Sequence, residues 1–218
     1  VTMTEKTDAA KKAEAYYDSS EANEFYQTIW GGQDIHVGIY RDDKEPIADA
    51  SRHTVETMAT WLPGIDDTSH ILDLGSGYGG SARYLADKFG CHVTCLNVSK
   101  TQNEINRKLT ADMGLTDRIR VVHGNFEDIP EPSNNFDAIW SQDALLHSGN
   151  RCLVLEEVRR VLIKGGQFVF TDPMQSDNCP DGVLEPILKR IHLSTLASFA
   201  FYHAELNALD FNRYATKD

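Results

Sequence analysis

Hydrophobic and polar residues change their spacing near residue 65 of this 218-residue chain. Before that point the spacing is helical, and the stretches AAKKAEAYYD, SEANEFYQTIW and PIADASRHTVETMATWL each predict a helix. We expect Ser20 to cap the second helix, whose Phe25, Ile29 and Trp30 share one face. Pro46 suits the first turn of the third helix, and the dipeptide PG ends it.

After residue 65, short apolar runs alternate with amphipathic stretches. The runs HILDLG, CHVTCLNV, RIRVVHG, FDAIWSQ and QFVFTD predict strands. The stretches GSARYLADKFG, SKTQNEINRKLTADMG and NRCLVLEEVRRVLIKGG predict helices, with Ser99 as an N-cap and Gly90 and Gly114 as stops. The apolar stripe of the last helix is expected to comprise Leu153, Val154, Val158, Val161 and Leu162. The alternation predicts an α/β fold with a Rossmann-like parallel sheet flanked by helices.

Ligands bind such sheets at the carboxyl ends of the strands. Those ends carry Asp73 with Gly75, then Asn97, Asn125, residues 141–143 and Asp172.

The composition narrows the classes of partner. Thirty-three acidic residues against 21 basic ones give a net charge of −12, which argues against nucleic acid and anionic membranes. No apolar run approaches the ~20 residues of a membrane span, and the N-terminus has no signal-peptide pattern. We therefore expect a cytoplasmic protein, either monomer or homodimer. The four cysteines form no C-x-x-C pair and predict reduced thiols and no metal site.

The glycine-rich stretch ILDLGSGYGG satisfies two patterns. Gly75, Gly77 and Gly80 fit the dinucleotide pattern G-x-G-x-x-G, while Asp73 followed by Gly75, Gly77 and Gly79 fits D-x-G-x-G-x-G. A dinucleotide site calls for an acid at the end of the second strand, where this chain has an asparagine. Asp73 is either a hydrogen-bonded strand acid or the partner of a ligand ammonium, a group that dinucleotides lack and S-adenosylmethionine has.

With HGNFEDIP, FDAIWSQDALLH and VLIKGGQFVFTDP, the second pattern resembles the class I S-adenosylmethionine-dependent methyltransferases over about residues 65–175. The resemblance implies S-adenosylmethionine as cofactor. It also implies one group of residues for each part of the cofactor: Gly75 and Gly77 for the methionine chain, Asp73 for its ammonium, Asn97 and Gln102 for the ribose, Asn125 and Phe126 for adenine, and Gln142 beside the sulfonium.

The stretch IWSQDALLHSGNR places Asp143 and His147 four residues apart, so one helical turn is expected to bring them together. Alternatively, Asp143 caps the turn that begins at Ala144, and His147 is a satisfied helix histidine. Similar D-x-x-x-H turns occur in phosphoethanolamine and related small-amine N-methyltransferases, where the pair is tied to the acceptor amine.

Over about residues 14–202 the chain resembles the sarcosine/dimethylglycine N-methyltransferases, through YYDSSEANEFYQTIWGGQDIHVGIY, CLNVSKTQNEINR, IWSQDALLHSGNR and FTDPMQSDNCPDGVLEPILKRIHLSTLASFAFY. The resemblance implies methylation of sarcosine, dimethylglycine or both, to form the osmolyte glycine betaine. It implies that His147, Asp143 and Tyr26 are catalytic. The implied substrate-binding residues are Tyr17, Tyr26, Trp30, Gln142, Met174, Arg190 and His192.

This family suggests an organisation into three parts. Residues 1–65 form a helical lid, residues 66–175 the cofactor-binding domain, and residues 176–218 an incomplete helical segment that covers the site. Tyr16 joins the aromatic residues of the lid as a surface for a quaternary ammonium, unless these rings serve only helix packing. For the acceptor carboxylate, Arg190 and His192 are candidates, whereas Arg83 is expected to face solvent.

The stretch from Phe211 to Asp218 is too short for the antiparallel hairpin that usually completes this sheet. Three alternatives remain open at this stage: a phosphoethanolamine-type methyltransferase, a cofactor-binding protein without turnover, and an NAD-dependent oxidoreductase.

Overall fold

Five parallel strands form the central sheet in the computed structural model, which describes residues 7–31, 33–191, 193–211 and 215–216. The strands are β1 (His70–Leu74), β2 (His92–Asn97), β3 (Ile119–His123), β4 (Phe136–Gln142) and β5 (Leu162–Thr171). Their order is β3-β2-β1-β4-β5, and all neighbours are parallel. The order reverses between β1 and β4, which opens a crevice at the carboxyl ends of these two strands.

Eight α-helices surround the sheet in the described part of the chain. They are α1 (Asp8–Tyr17), α2 (Ser20–Ile29), α3 (Ile47–Ala59), α4 (Gly80–Phe89), α5 (Lys100–Asp112), α6 (Arg151–Val161), α7 (Glu185–Arg190) and α8 (Phe199–Ala208). The predicted Rossmann-like sheet with flanking helices and an N-terminal helical region is confirmed. The expectation about a C-terminal hairpin falls largely on positions outside the described residues. None of the described helices is long and apolar enough to cross a membrane.

Consecutive strand residues point to opposite faces of the sheet, and both faces are buried under helices. Ile71 contributes to one core cluster, which packs under α3 and α4, while Leu72 contributes to the other, under α6 and α8. Each fully buried side chain of this size contributes about 1.5–3 kcal/mol to folding. Cys91 and Cys95 are fully buried in the first cluster as free thiols.

The boundary between α6 and β5 differs from the prediction. Leu162 is the first residue of β5 and not the last of the helix, and the predicted glycine turn lies inside the strand. The pairing with β4 jumps from Phe136–Leu162 to Ala138–Gln167, so the intervening residues loop out where Gly165 adopts φ +82°. Leu155 is completely buried on α6, whereas Leu153, predicted for the apolar stripe, is 36% exposed.

The helix ends follow local hydrogen bonding. Ser99 caps α5 as predicted, and its Oγ accepts a bond from the amide of Gln102 at 3.1 Å. The prediction for α2 is wrong by one residue. Ser19 has the extended backbone that an N-cap requires, and its Oγ accepts from the Ala22 amide at 3.2 Å, so Ser20 is the first helical residue.

The two leucines of α6 test this packing. Leu155→Ala removes a fully buried side chain and should lower the free energy of unfolding by about 2–5 kcal/mol, measured by equilibrium urea denaturation. Leu153→Ala, the matched control, should change it by about 0.5 kcal/mol or less. Equal losses for the two variants would contradict the observed face of the helix.

Candidate functional site

The loop between β1 and α4 has the backbone that its glycines permit. Gly75, Gly77 and Gly79 have φ values of +72°, +51° and +76°, a region that other residues rarely adopt. A β-carbon on Gly75 would overlap Ala144, and one on Gly79 would overlap the side chain of Asn106. The three glycines of the D-x-G-x-G-x-G pattern are therefore the ones with left-handed backbone.

A small pocket lies against this loop. Its walls come from three parts of the fold: Asp73 and the glycine loop, Gln142 at the end of β4, and residues 33–36 between α2 and α3. The pocket thus lies at the carboxyl ends of β1 and β4, where the strand order reverses.

Asp73 is 3% exposed, and its Oδ2 has no hydrogen-bond partner among the described residues. Burial raises the pKa of Asp73 to about 7, and the nearby carboxylate of Asp34 adds to the shift. A hydrogen-bonded strand acid would have partners for both oxygens. The geometry therefore favours the alternative in which Asp73 faces a ligand cation.

The structure brings Asn97 and Gln102 together at the start of α5. Asn97 Nδ2 donates to Gln102 Oε1 at 3.0 Å, and Gln102 Nε2 is buried without a described partner. Asn125 instead folds back onto its own turn. Its Oδ1 accepts from the amide of Glu127 at 3.1 Å, and its Nδ2 donates to Glu127 Oε2 at 3.3 Å. Phe126 is half-buried against the second core cluster.

Gln142 lies in the pocket wall with one half of its amide engaged. Its Oε1 accepts bonds from the hydroxyl of Ser81 and from Trp140 Nε1, the latter at 2.9 Å. Its Nε2 is buried, and no partner for it is described. Gln142 therefore offers the pocket a fixed donor.

The predicted contact between Asp143 and His147 is wrong. Asp143 leaves β4 with φ +47°, and only a short 3₁₀ helix, Leu145–His147, follows, so the i, i+4 geometry of an α-helix does not arise. The carboxylate of Asp143 instead accepts from the Val37 amide at 2.7 Å and from Thr171 Oγ1 at 2.8 Å. The alternative role as a helix cap is not seen either, because no side chain caps the 3₁₀ helix.

His147 is bonded to the N-terminal region. The hydroxyl of Tyr17 lies 3.0 Å from His147 Nε2. Burial lowers the pKa of His147 to about 4, and Arg151 adds to the shift, so the imidazole is neutral at pH 7. Burial raises the pKa of Tyr17, which keeps its proton. Both groups are therefore uncharged, and the tautomer of His147 sets which of them donates the hydrogen bond.

Aromatic rings from α1 and α2 cluster beside this bond. Tyr17 stacks on Tyr26 with ring centroids 6.0 Å apart, and Tyr26 meets Trp30 at 5.6 Å. Tyr16 lies edge-on to Tyr17 at 5.0 Å. The indole of Trp30 also donates to the carbonyl of His36 at 3.1 Å, which ties the cluster to the pocket wall.

Residues 33–36 are the part of the site that sequence reasoning missed, because GGQDIHVGIY was interpreted only as a loop. Asp34 is 5% exposed and pairs with Arg52 at 2.7 Å between Oδ2 and Nη2. His36 is 7% exposed beside it. The available signal was an acid and a histidine in a glycine-bearing loop between two helices expected to cover the site.

Another expectation is overturned at Arg83. It does not face solvent but is 2% exposed, and its Nη1 donates to the carbonyl of Tyr78 at 2.6 Å. The first turns of α4 lie under the glycine loop, so a long side chain there reaches the loop backbone. Arg83 therefore supports the loop from below and is not available to an acceptor carboxylate.

Sequence reasoning also missed Asp18, which links α1 to the start of α5 by hydrogen bonds. Its Oδ1 accepts from Ser99 Oγ at 2.7 Å and from the Thr101 amide at 3.1 Å. A carboxylate at a helix N-terminus is favoured there by the unpaired amides and the helix dipole.

The structure does not bring the remaining predicted residues to the pocket. Met174 is 40% exposed shortly after β5. Arg190 is exposed at the end of α7, and none of its described contacts reaches the glycine loop or the 3₁₀ helix. His192 lies outside the described residues.

Sequence comparison finds a methyltransferase domain in residues 72–170. A sarcosine/dimethylglycine N-methyltransferase of Aphanothece halophytica is 54% identical over 200 residues, which are 92% of this chain and 72% of that protein. A sarcosine/dimethylglycine N-methyltransferase of Halorhodospira halochloris is 51% identical over 210 residues, covering 96% of this chain and 75% of that protein.

Structural comparison agrees. A solved structure from Galdieria sulphuraria, to which sarcosine dimethylglycine methyltransferase activity has been attributed, superposes with a TM-score of 0.83 and 40% identity. The match covers 87% of this chain and 74% of the other. The sheet order and flanking helices are thus those of the class I methyltransferase fold.

S-adenosylmethionine is the cofactor of this fold, and the residues present fit it. The unpaired carboxylate oxygen of Asp73 suits its ammonium, and the glycines bring the loop backbone to the pocket wall with no side chain between. Gln142 presents an unpaired amide donor to the same pocket.

The raised pKa of Asp73 predicts a proton-linked affinity. An ammonium partner favours the ionised carboxylate, so binding of S-adenosylhomocysteine should release a proton below about pH 7. The affinity should therefore rise by up to about tenfold per pH unit between about pH 5.5 and 7 and then level off. Calorimetry in buffers of different ionisation enthalpy measures both quantities. Asp73→Asn should remove the proton release; a pH-independent affinity of the wild type would contradict this.

Proposed function

Because this chain belongs to the sarcosine/dimethylglycine N-methyltransferases, a family of S-adenosylmethionine-dependent enzymes, we propose that it methylates the amine nitrogen of sarcosine, dimethylglycine or both in the formation of glycine betaine. The acidic composition, with a net charge of −12, is consistent with osmolyte synthesis in the cytoplasm of a salt-adapted cell. Residues 1–65 would serve as the lid, residues 66–175 as the cofactor-binding domain and residues 176–218 as a cover of the acceptor site.

The observation that carries the proposal is the 3.0 Å bond between Tyr17 and His147. It closes α1 over the exit of β4, a few residues beyond Gln142 in the pocket wall. The hydroxyl of Tyr17, the imidazole of His147 and the aromatic rings beside them form a cluster that suits a small amine. A protein that only binds the cofactor has no need of such a cluster.

The reaction requires positioning more than covalent participation by the protein. When bound, S-adenosylmethionine supplies an electrophilic methyl group on its sulfonium. The acceptor nitrogen forms the new C–N bond as the C–S bond breaks, and the electron pair of that bond stays on sulfur. The chain must hold the nitrogen lone pair in line with the C–S bond and exclude water.

Tyr17 and His147 suit a neutral acceptor. In the tautomer of His147 with its ring hydrogen on Nδ1, the Tyr17 hydroxyl donates to Nε2 and presents oxygen lone pairs that can orient an N–H group of sarcosine. A neutral His147 places no positive charge beside the sulfonium or the forming ammonium. Because its pKa is about 4, His147 is a weak base. We therefore infer that it positions Tyr17, and that dimethylglycine loses its proton before transfer.

The ring faces of Tyr26 and Trp30 suit the product of the last methylation. Its nitrogen is a quaternary ammonium, which cannot donate a hydrogen bond but is attracted to aromatic faces. The two rings lie 5.6 Å apart in the lid, next to Tyr17. Arg190 and His192 stay the two sequence-based candidates for the acceptor carboxylate, and no contact of the described residues favours either.

Methyl transfer from labelled S-adenosylmethionine to a panel of glycine, sarcosine, dimethylglycine and phosphoethanolamine tests the proposal. We expect turnover with sarcosine, dimethylglycine or both. Turnover with phosphoethanolamine alone would assign a different small-amine methyltransferase. Cofactor binding without transfer to any of the four acceptors would favour the protein without turnover.

Removal of one hydroxyl tests the closing bond. Tyr17→Phe should raise KM for the acceptor by about 3- to 10-fold, since a lost hydrogen bond of this kind costs about 0.5–1.5 kcal/mol. Steady-state kinetics at saturating cofactor provide the measurement. Tyr84→Phe is the matched control, because it removes a hydroxyl bond of the same 3.0 Å length, from Lys88, on the surface of α4. Equal kinetics for Tyr17→Phe and the wild type would remove this bond from the mechanism.

The aromatic surface predicts selectivity among acceptors. Tyr26→Leu should lower kcat/KM for dimethylglycine about 5- to 30-fold, and kcat/KM for glycine less, since positive charge develops on the methylated nitrogen during transfer and a desolvated cation–π contact contributes about 1–2 kcal/mol. Tyr40→Leu, at a half-exposed tyrosine in the loop after α2, is the control and should change neither value. Equal losses for both acceptors in Tyr26→Leu would show that the ring serves packing alone.

A further inference from the structure

Three buried side-chain atoms that face one pocket have no hydrogen-bond partner among the described residues: Asp73 Oδ2, Asp34 Oδ1 and His36 Nε2. Their residues are 3%, 5% and 7% exposed. Asp34 Oδ1 and His36 Nε2 lie 3.9 Å apart, too far for a hydrogen bond between them. Buried polar atoms are rarely left unpaired, so the arrangement indicates a ligand that pairs with all three.

All three atoms are acceptors. The two carboxylate oxygens can only accept while ionised. His36 Nδ1 lies 3.4 Å from the carbonyl oxygen of Val37, which also only accepts, so Nδ1 carries the ring hydrogen. Burial lowers the pKa of His36, and the neutral imidazole then has its bare nitrogen, Nε2, toward the pocket. A group with three N–H donors, an ammonium, matches three acceptors.

The charges around the pocket favour the same ligand. Two carboxylates line it, and no lysine or arginine is among its lining residues. Arg52 pairs with the outer oxygen of Asp34, and Arg83 lies beneath the glycine loop, so the inner oxygen of Asp34 and the Oδ2 of Asp73 are left without a hydrogen-bond partner among the described residues. Two unpaired donors also line the pocket, Ser76 Oγ and Gln142 Nε2, and they suit the carboxylate of the same α-amino acid.

Hydrogen bonds to its backbone hold the segment that carries Asp34 and His36 in place. Its His36 carbonyl accepts from Ser51 Oγ at 2.8 Å and from Trp30 Nε1 at 3.1 Å, and the Val37 amide donates to Asp143 at 2.7 Å. Both side chains are therefore fixed toward the pocket before any ligand arrives, which lowers the entropic cost of binding.

We propose that Asp34 and His36 complete, with Asp73, a three-acceptor receptor for the ammonium of the bound cofactor. The inference deepens the cofactor part of the proposed function, on which it rests, and does not depend on which amine is methylated. In this arrangement the ammonium also links two parts of the fold, because it bonds both to β1 and to the connection between α2 and α3. The amino-acid end of the cofactor, and not its nucleoside, then holds this connection over the glycine loop.

Calorimetric titration with three ligands tests the receptor: S-adenosylhomocysteine, its deamino analogue without the ammonium, and 5′-methylthioadenosine without the whole amino-acid end. In Asp34→Asn and His36→Asn the affinity for S-adenosylhomocysteine should fall about 10- to 100-fold, as expected for a lost bond to a charged group. The asparagine at position 36 keeps a donor toward Val37 and lacks the Nε2 acceptor. The affinity for 5′-methylthioadenosine should stay within about twofold, which also verifies that each variant is folded.

His53→Asn is the matched control, since His53 lies on α3, faces Glu45 at 3.2 Å and does not line the pocket. It should bind all three ligands like the wild type. The wild type should prefer S-adenosylhomocysteine to its deamino analogue, and the two variants should have lost most of that preference. Equal weakening of all three ligands, or an undiminished preference in both variants, overturns the receptor. If the wild type binds none of the ligands, the proposed function itself fails.

Discussion

A carboxylate buried at the end of the central strand, with no cation beside it, is the constraint around which this site is built. Asp73 is buried because β1 is covered on both faces of the sheet. Burial without a partner disfavours the ionised form of its carboxyl group. The carboxylate stays unpaired in the protein alone, and a cationic ligand relieves the cost of burying it. The left-handed glycine turn gives the ligand access to the strand end, and Arg83 fixes the turn from below.

The reaction assembles several positive centres in a small volume: an ammonium, a sulfonium and, at the last step, a quaternary nitrogen. The described residues around the site are of types that tolerate or attract positive charge. They present carboxylates, neutral imidazoles and aromatic faces, while Arg52 is paired with Asp34, and Arg151 donates to Thr195 and to the carbonyl of Leu146. Burial keeps His147 uncharged, which is consistent with its proposed place beside a cationic ligand.

Much of this could be predicted from the sequence where local rules decide. The alternation of strands and helices predicted the parallel sheet, and the glycine pattern D-x-G-x-G-x-G identified the cofactor loop. Asn97 was placed at a strand end by the pattern, whereas its pairing with Gln102 came only from the family resemblance. Contacts that depend on tertiary packing could not be predicted: the left-handed residue Asp143 redirects its carboxylate to Val37, and Tyr17 reaches His147 from 130 positions away. The burial of Asp34 and His36 likewise depends on how a loop packs over a distant strand.

Tyr17 and Asp18 are neighbours in sequence, yet their side chains attach to different strand exits. Tyr17 is bonded to His147 after the exit of β4, and Asp18 to the start of α5, beside the residues predicted for the cofactor ribose. Two consecutive residues cannot move independently, so one displacement of the end of α1 breaks both attachments. The final turn of this ten-residue helix therefore couples the exit of β4 to the start of α5 mechanically, although the two places are far apart along the chain.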